Sequence, residues 1–331
     1  MNSQDFNEFN RQRTDKYHKD QSEEDFLTGF NRYLRERERQ LYGDYPITHP
    51  FLFVFGPPRS GTTLLTQLIA HGLDVGYINN LMARFWMAPV HGIRFSKAVL
   101  DSHSEISFQS DYAHTENLGD IHEFGYFWRN LLQIHTMDDI VHVKEQEEVI
   151  DWGNVRTVLA NILQEFGKPM VFKNIYGAYY LQRLQQELGP VIGICIERDE
   201  LDDAVSILRA REEYYGDPNV WWSYTPPEYD QLKDLDYHRQ IAGQIHYLKR
   251  FYEQEIARMG TERVAVIQYE DLCLNPGGVL EKIIAIADEV YNYQLERAGD
   301  VPEQFTFRTY TDQEAEKQKF KQAFESIRKG D

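Results

Sequence analysis

FLFVFGPPRSGTTLLTQLIAHG, residues 51–72, is the stretch of sequence that decides the fold. Its first five residues form a continuous apolar run, which is typical of a strand buried on both faces of a parallel sheet. A glycine-rich loop follows at once and leads into an apolar-periodic segment with helical spacing. The stretch therefore predicts a strand, a loop and a helix, which is the start of a βα unit.

Three later segments read as further strands of the same sheet. They are PMVFKN (Pro169 to Asn174), VIGICIE (Val191 to Glu197) and RVAVIQYEDL (Arg263 to Leu272), and amphipathic helical patterns separate them. Alternating strands and helices predict an α/β fold, a three-layer α/β/α arrangement with a mostly parallel central sheet. No internal repeat or low-complexity linker divides it, so we expect one domain over residues 46–331.

An N-terminal helical extension is expected within residues 1–45, ahead of that domain. Apolar residues recur there at helical spacing, and we expect them to pack on the domain while the arginines around them face solvent. These residues are Phe26, Leu27, Phe30, Tyr33, Leu34 and Leu41. A second non-sheet segment, Asp217 to Tyr229, is rich in proline and aromatic residues and is expected to be a loop or lid.

Composition limits the classes of function. The chain has 331 residues, 42% of them hydrophobic, which is enough for one large core. Its formal net charge of −18 disfavours a nucleic-acid partner, because the long-range field repels polyanions. No apolar segment is long enough to span a bilayer and the N-terminus has no secretory signal, so a cytoplasmic protein is expected. Composition does not indicate the oligomeric state.

The loop GPPRSGTT has the spacing of a phosphate-binding loop with one substitution. Gly56 and Gly61 match the GxxxxGK[ST] pattern, but Thr62 stands where the lysine would be. Such a loop points several backbone N–H groups at one anion, and the following helix adds the positive end of its dipole. Without the lysine, and without an evident magnesium ligand, the loop is poorly suited to an ATPase or kinase.

At this point the sequence resembles the PAPS-dependent sulfotransferase family, where PAPS is 3′-phosphoadenosine 5′-phosphosulfate. The 5′-phosphosulfate loop of that family commonly reads PRSGTT or PKSGTT after a buried strand. RDELDDAVSILRAR, which follows VIGICIE, is similar to the family's RDPxDxxxS motif for the 3′-phosphate, although Glu200 replaces the usual proline. VAVIQYEDL looks like the family's late strand. The similarity extends from about Phe51 to Ile286.

This resemblance implies a P-loop-like sulfotransferase fold and a set of nucleotide-binding residues. Arg198 and Ser206 align with the 3′-phosphate ligands, and an arginine fork suits a phosphate dianion. Tyr269 would lie near the adenine or serve as a core tyrosine. The expected PAPS-binding set is Arg59, Ser60, Gly61, Thr62, Thr63, Arg198, Ser206 and Tyr269.

The implied reaction is transfer of a sulfuryl group from PAPS to a hydroxyl or amine of a small or apolar acceptor, with release of 3′,5′-ADP and no required metal. Arg59 is expected to neutralise the leaving phosphate. Lys173 occupies the place of a KxH or KxP segment of the family and is expected to share that role. Ile175 stands where KxH members carry a histidine, so a base must come from elsewhere.

Candidates for that base lie between residues 110 and 128. Glu123 and His122 are favoured, with Asp111, His114 and Glu116 as further possibilities. An acceptor pocket of aromatic side chains is expected to draw on the set Phe85, Trp86, Trp128, Trp221, Trp222 and Tyr224. Two other functions stay open: an atypical P-loop kinase, and a non-catalytic nucleotide-binding protein on the same fold.

Overall fold

The computed structural model describes residues 10–100, 106–108, 117–173 and 176–330. Its strands are β1 (Phe51–Phe55), β2 (Gly76–Tyr77), β3 (Met170–Lys173), β4 (Val191–Glu197) and β5 (Val264–Gln268). The helices are α1 (Gln21–Arg39), α2 (Thr62–Gly72), α3 (Pro89–Val99), α4 (Gly125–Leu131), α5 (Asp138–Val141), α6 (Val143–Val149), α7 (Trp152–Phe166), α8 (Leu181–Leu188), α9 (Glu200–Tyr215), α10 (Tyr229–Leu232), α11 (Tyr237–Met259), α12 (Tyr269–Leu274), α13 (Pro276–Tyr291) and α14 (Glu314–Gly330). Short 3₁₀ turns occupy Met82–Phe85, Gly177–Tyr180 and Thr261–Arg263.

The five strands form one sheet in the order β2-β3-β1-β4-β5. The paired strands β1–β3, β1–β4, β2–β3 and β4–β5 all run parallel. Two details differ from the sequence-based prediction. The edge strand β2 is only two residues long and was not foreseen, and β5 ends at Gln268 because Tyr269 already begins α12.

Side chains of β1 alternate between two hydrophobic layers, one on each face of the sheet. Phe51, Phe53 and Phe55 join the larger cluster with α4, α7 and α8, whereas Leu52 and Val54 join a second cluster with α2 and α13. Since every residue of β1 is buried, the continuous apolar run is required by burial on both faces. The predicted three-layer α/β/α fold with a parallel central sheet is confirmed.

Helix α1 lies ahead of the sheet, which confirms the N-terminal helix. It is fixed by Asn31, whose side-chain amide donates to the carbonyl oxygen of Arg84 at 2.8 Å, and by the buried carboxylate of Glu38. Glu38 accepts from the backbone N–H of Val90 at 2.7 Å and thereby caps the first turn of α3. The packing of α1 therefore depends on two buried polar side chains. The domain boundary at residue 45 stays a prediction.

The segment between α9 and α10 has no regular structure, as its prolines predict. The side-chain amide of Gln244 on α11 donates to the carbonyl oxygens of Trp222 at 2.9 Å and Tyr224 at 2.5 Å. Arg211 on α9 is fully buried and donates to the carbonyl oxygen of Pro218 at 3.1 Å. These bonds hold the loop against the helices. No helix in the described ranges is both long and apolar enough to cross a membrane.

Candidate active site

The carboxyl ends of β1, β3, β4 and β5 all lie at one edge of the sheet, because the strands are parallel. That edge is where open α/β sheets bind their ligands. Each strand is followed there by a polar residue or loop that the sequence singled out: the glycine-rich loop after β1, Lys173 at the end of β3, Arg198 after β4 and Tyr269 after β5.

Two glycines allow the loop after β1 to fit into this edge. A Cβ atom at Gly56 would stand 2.4 Å from the carbonyl oxygen of Ile196 in β4. Gly61 has a φ of +107°, and a Cβ there would stand 2.8 Å from the ring of Tyr269. Both positions therefore require glycine, one for close approach and the other for its backbone conformation as well.

The loop ends at the N-terminus of α2, which begins at Thr62. Gly61 precedes the helix and has no side-chain oxygen with which to cap its first turn, a geometry suited to anion binding by backbone N–H groups. The side chain of Ser60 has a different role in the structure: its buried hydroxyl donates to the carbonyl oxygen of Pro57 at 2.7 Å and closes the turn.

Lys173, Thr63 and Glu123 meet beside the loop. The buried ammonium of Lys173 donates to the hydroxyl of Thr63 at 2.8 Å and also forms an ion pair with the partly exposed carboxylate of Glu123. A buried lysine needs such partners, because an isolated ammonium in the interior is strongly disfavoured. The structure thus brings together a cation, a carboxylate and a hydroxyl at the start of α2 that lie in three separate segments of the sequence.

His122 lies next to Glu123 in the chain but faces solvent. Its ring Nδ1 is 2.8 Å from the backbone nitrogen of Phe124, whose N–H donates to it. The remaining candidates for the base, Asp111, His114 and Glu116, lie outside the described residues, as does Ile175.

Arg198 forms the other end of the site. Its buried guanidinium donates to the carbonyl oxygen of Arg59 at 3.2 Å and to that of Arg308, and it stands 4.6 Å over the ring of Tyr269. Tyr269 therefore packs against both Gly61 and Arg198. Stacking on an aromatic face and a rigid array of N–H donors are the two properties that distinguish arginine from lysine.

Ser206 connects this corner to the glycine-rich loop. Its hydroxyl accepts a hydrogen bond from Nε of Arg59 at 2.9 Å and another from the hydroxyl of Tyr310 at 3.2 Å. This bond joins the two motifs identified in the sequence. Arg59 belongs to the glycine-rich loop GPPRSGTT, and Ser206 belongs to RDELDDAVS at the start of α9. Arg59 points toward Ser206, whereas Lys173 is the cation beside Thr63.

Asp203 is a residue of this corner that the sequence reasoning missed. It is fully buried on α9, and Nε of Arg198 stands 4.0 Å from its carboxylate. Neither carboxylate oxygen has a hydrogen-bond partner within the described part of the chain. Burial raises the pKa of Asp203 to about 8, against the opposing attraction of Arg198, Lys249 and Arg59.

Residues Phe305–Tyr310 form a second feature that the sequence reasoning missed, and we name it the closing segment. Phe307 packs on Tyr269 with ring centroids 5.6 Å apart, and the backbone N–H of Tyr310 donates to Asp202 at 3.0 Å. The segment therefore lies over Arg198 and Ser206. It has no periodicity and follows the stretch that resembles the family, so no pattern marked it.

Aromatic side chains surround the Glu123 end, but not all those predicted. Trp128 is fully buried between Phe53 and Phe172, and Trp221 packs beneath Arg211, so both belong to the core. Burial raises the pKa values of Tyr176, Tyr214 and Tyr224, and the negative charge of Glu123 makes a smaller contribution in the same direction for each. Of these only Tyr224 was expected from the sequence.

No group of three or more histidine, cysteine, aspartate or glutamate side chains that could hold a metal ion occurs in the described ranges.

Comparisons with known proteins agree with this picture. A model of the sulfotransferase family matches residues 50–292, more than half of the chain. The fold is similar to that of sulfotransferase STF9 from Mycobacterium avium, with a TM-score of 0.51 at 15% identity over 78% of this chain and 68% of that one. Sulfotransferase STF1 from Mycobacterium tuberculosis H37Rv gives 0.50 at 15% identity, over 92% and 80% of the two chains. A comparison with curated proteins found no match.

The buried carboxyl of Asp203 generates a prediction about stability. Its pKa is raised in the folded state, so folding binds a proton there, and the stability of the native chain falls as the pH rises from about 4 to about 8. Asp203→Asn removes this titration. We expect thermal unfolding to show the variant gaining stability relative to the native chain across that pH window and no further gain above it.

The control is Asp199→Asn, which neutralises an exposed carboxylate at the start of the same helix and keeps its capping geometry. It should keep the fall in stability with rising pH, because the charge of Asp199 makes only a minor contribution to the raised pKa of Asp203 and burial makes the largest one. A difference between Asp203→Asn and the native chain that is constant from pH 4 to pH 9 would contradict the assignment of a buried titrating carboxyl.

Proposed function

The chain belongs to the sulfotransferase family, and from that premise we propose that it transfers a sulfuryl group from PAPS to a hydroxyl or amine of a small or apolar acceptor, releasing 3′,5′-ADP. One contact carries the proposal: Nε of Arg59, in the glycine-rich loop, donates to the hydroxyl of Ser206 at 2.9 Å. Two phosphate-binding motifs in contact suit a nucleotide that carries phosphate at both its 5′ and its 3′ position.

The two ends of the donor would contact different groups of the protein. Gly61, which precedes α2, and Thr62 and Thr63, which begin it, would receive the 5′-phosphosulfate on backbone N–H groups and hydroxyls. Arg198 and Ser206 would receive the 3′-phosphate, and Tyr269, packed against both Gly61 and Arg198, would flank the nucleoside. The fit is supported by Arg198 itself, a buried cation whose present oxygen partners include two neutral backbone carbonyls.

A phosphate at that corner has to exchange contacts with the closing segment. Arg198 donates to the carbonyl oxygen of Arg308, and Ser206 accepts from Tyr310. A doubly charged phosphate is a stronger partner for a guanidinium than a carbonyl oxygen is. We therefore expect the closing segment to be repositioned, but still close to the site, when the nucleotide binds.

In the transfer, a bond forms between the acceptor oxygen or nitrogen and sulfur, and the bond from sulfur to the 5′-phosphate oxygen breaks. The electron pair leaves with 3′,5′-ADP, and the proton of the acceptor goes to a base on the protein. Because little covalent work is asked of the protein, positioning and charge neutralisation dominate. Lys173, bonded to Thr63 at 2.8 Å, supplies positive charge at the reacting end, and Arg59 supplies it at the nucleotide.

Glu123 is the base that the geometry supports best. Its carboxylate is paired with Lys173, which in turn contacts Thr63 at the start of α2, so the carboxylate lies beside the place proposed for the sulfonate. His122 is exposed, and its Nδ1 faces the backbone N–H of Phe124. The tyrosines around Glu123 supply apolar ring surface for an acceptor, and the net charge of −18 disfavours a polyanionic one.

Equilibrium binding of nucleotides tests the donor site. We expect 3′,5′-ADP to bind at least about tenfold more tightly than ADP, because only the former has a 3′-phosphate for Arg198. Arg198→Ala should remove that difference and leave the weaker affinity for ADP nearly unchanged. Equal affinities in the native chain would contradict the assignment, and ATP binding that requires magnesium would favour the kinase alternative.

Turnover with labelled donor tests the base. Glu123→Gln should lower kcat by about 10²-fold or more, since the amide cannot accept the proton, while the affinity for 3′,5′-ADP stays near the native value. His122→Ala is the comparison from the adjacent position. A loss that follows His122 and spares Glu123 would move the role to the histidine, and normal turnover in both variants would move it to Asp111, His114 or Glu116.

A further inference from the structure

Helix α1 does not bury the apolar residues that its periodicity suggested. Leu27 packs against the core, but Phe26 and Tyr33 are 69% and 74% exposed, and Phe30 is exposed beside them. The helix instead docks through Asn31 and Glu38, which are buried polar residues. An amphipathic helix thus turns a row of aromatic side chains outward, at positions i, i+4 and i+7 of one face.

That row continues onto α3 without a break. Phe30 contacts Phe85 with ring centroids 5.6 Å apart, and Phe85 contacts Phe95 at 5.7 Å. Phe95 and Val99, one turn apart on α3, are 49% and 54% exposed. We name this surface the aromatic strip, made of Phe26, Phe30, Tyr33, Phe85, Phe95 and Val99. Isolated exposed apolar residues are ordinary, but a continuous surface of this kind marks an interaction site.

Charge is segregated along α1 beside the strip. The N-terminal end carries the acidic residues Glu23, Glu24 and Asp25. The C-terminal end carries Arg35, Arg37 and Arg39 and one exposed acidic residue, Glu36, so its net charge is positive. An antiparallel copy of the same helix matches this pattern, because each acidic end then lies against a basic end. An anionic membrane does not, since it would attract one end of the helix and repel the other.

Gly29 lies in the middle of the exposed face, three residues from Phe26 and four from Tyr33. No atom lies within 4 Å of where its Cβ would be, so nothing within the described chain requires a glycine there. Glycine destabilises a helix interior relative to alanine. Its use on an exposed face that carries Phe26 and Tyr33 is explained when a second helix approaches closely at that point.

We propose that the aromatic strip is the interface of a symmetric dimer, in which α1 packs antiparallel against α1 of a second copy about a two-fold axis near Gly29. Such an interface is isologous: the same surface serves both copies, and the charged ends pair twice. Phe26 of one copy then lies near Tyr33 of the other, on either side of the axis. The dimer does not depend on sulfuryl transfer, because the strip contains none of the residues proposed for the donor or the base.

Solution mass tests the interface. The native chain should show the mass of two chains by light scattering at micromolar concentration and dissociate on dilution. Phe26→Glu with Tyr33→Glu should give the mass of one chain, with native circular dichroism showing that the fold is retained. Val149→Glu is the matched control, because Val149 is 59% exposed and lies outside the strip. A native monomer at all concentrations, or a dimer that survives the double substitution, would overturn the proposal.

Disulfide formation tests the antiparallel arrangement. Gly29→Cys lies near the proposed axis and should form a disulfide with its own copy under mild oxidation. Arg39→Cys lies ten residues further along the helix, so the two copies of that residue would be about 30 Å apart and should not form one. Both native cysteines are buried and give little background. Crosslinking at residue 39, or none at residue 29, would overturn the two-fold arrangement.

Discussion

The burial of β1 on both faces at the centre of the sheet is the constraint on which the rest of the site depends. Because β1 lies between β3 and β4, the loop that leaves it has to pass under Ile196 and against Tyr269, where only glycine fits at positions 56 and 61. The same parallel arrangement delivers Lys173 and Arg198 to either side of that loop. The position of the glycine-rich loop between two cations is therefore a result of the strand order.

Those two cations stand out in a chain of net charge −18. Each is buried, and each has an acidic side chain close by: Glu123 for Lys173, and Asp203 for Arg198. Buried charge is tolerated only when a nearby group compensates it, and the two pairs differ in the distance between cation and acidic side chain. The Lys173 pair is in direct contact, whereas Arg198 and Asp203 remain 4.0 Å apart with unpaired atoms on both sides. The Arg198 end is consequently the less completely compensated one and suits an incoming anion.

The strands and the glycine-rich loop between β1 and α2 were predictable, because each has a local pattern of apolar runs or glycines. Motif spacing also placed Arg198 and Ser206 near that loop, and their role as phosphate ligands stays a prediction. Contacts between distant segments were not. Nothing in the sequence around Asp203 or Tyr310 indicates that they share a corner with Arg198, and the turn of Arg59 toward Ser206 depends on tertiary packing. For helix α1 the apolar spacing correctly predicted a helix but not its buried face. Asn31 and Glu38 determine which face is buried.

A crystal structure of the protein with 3′,5′-ADP tests the central claim most directly. We expect the 5′-phosphate on the backbone amides at the start of α2 and the 3′-phosphate on Arg198 and Ser206, with the carbonyl oxygen of Arg308 displaced from Arg198. A nucleotide held in a different cavity, or with its 3′-phosphate in solvent away from Arg198, would contradict it.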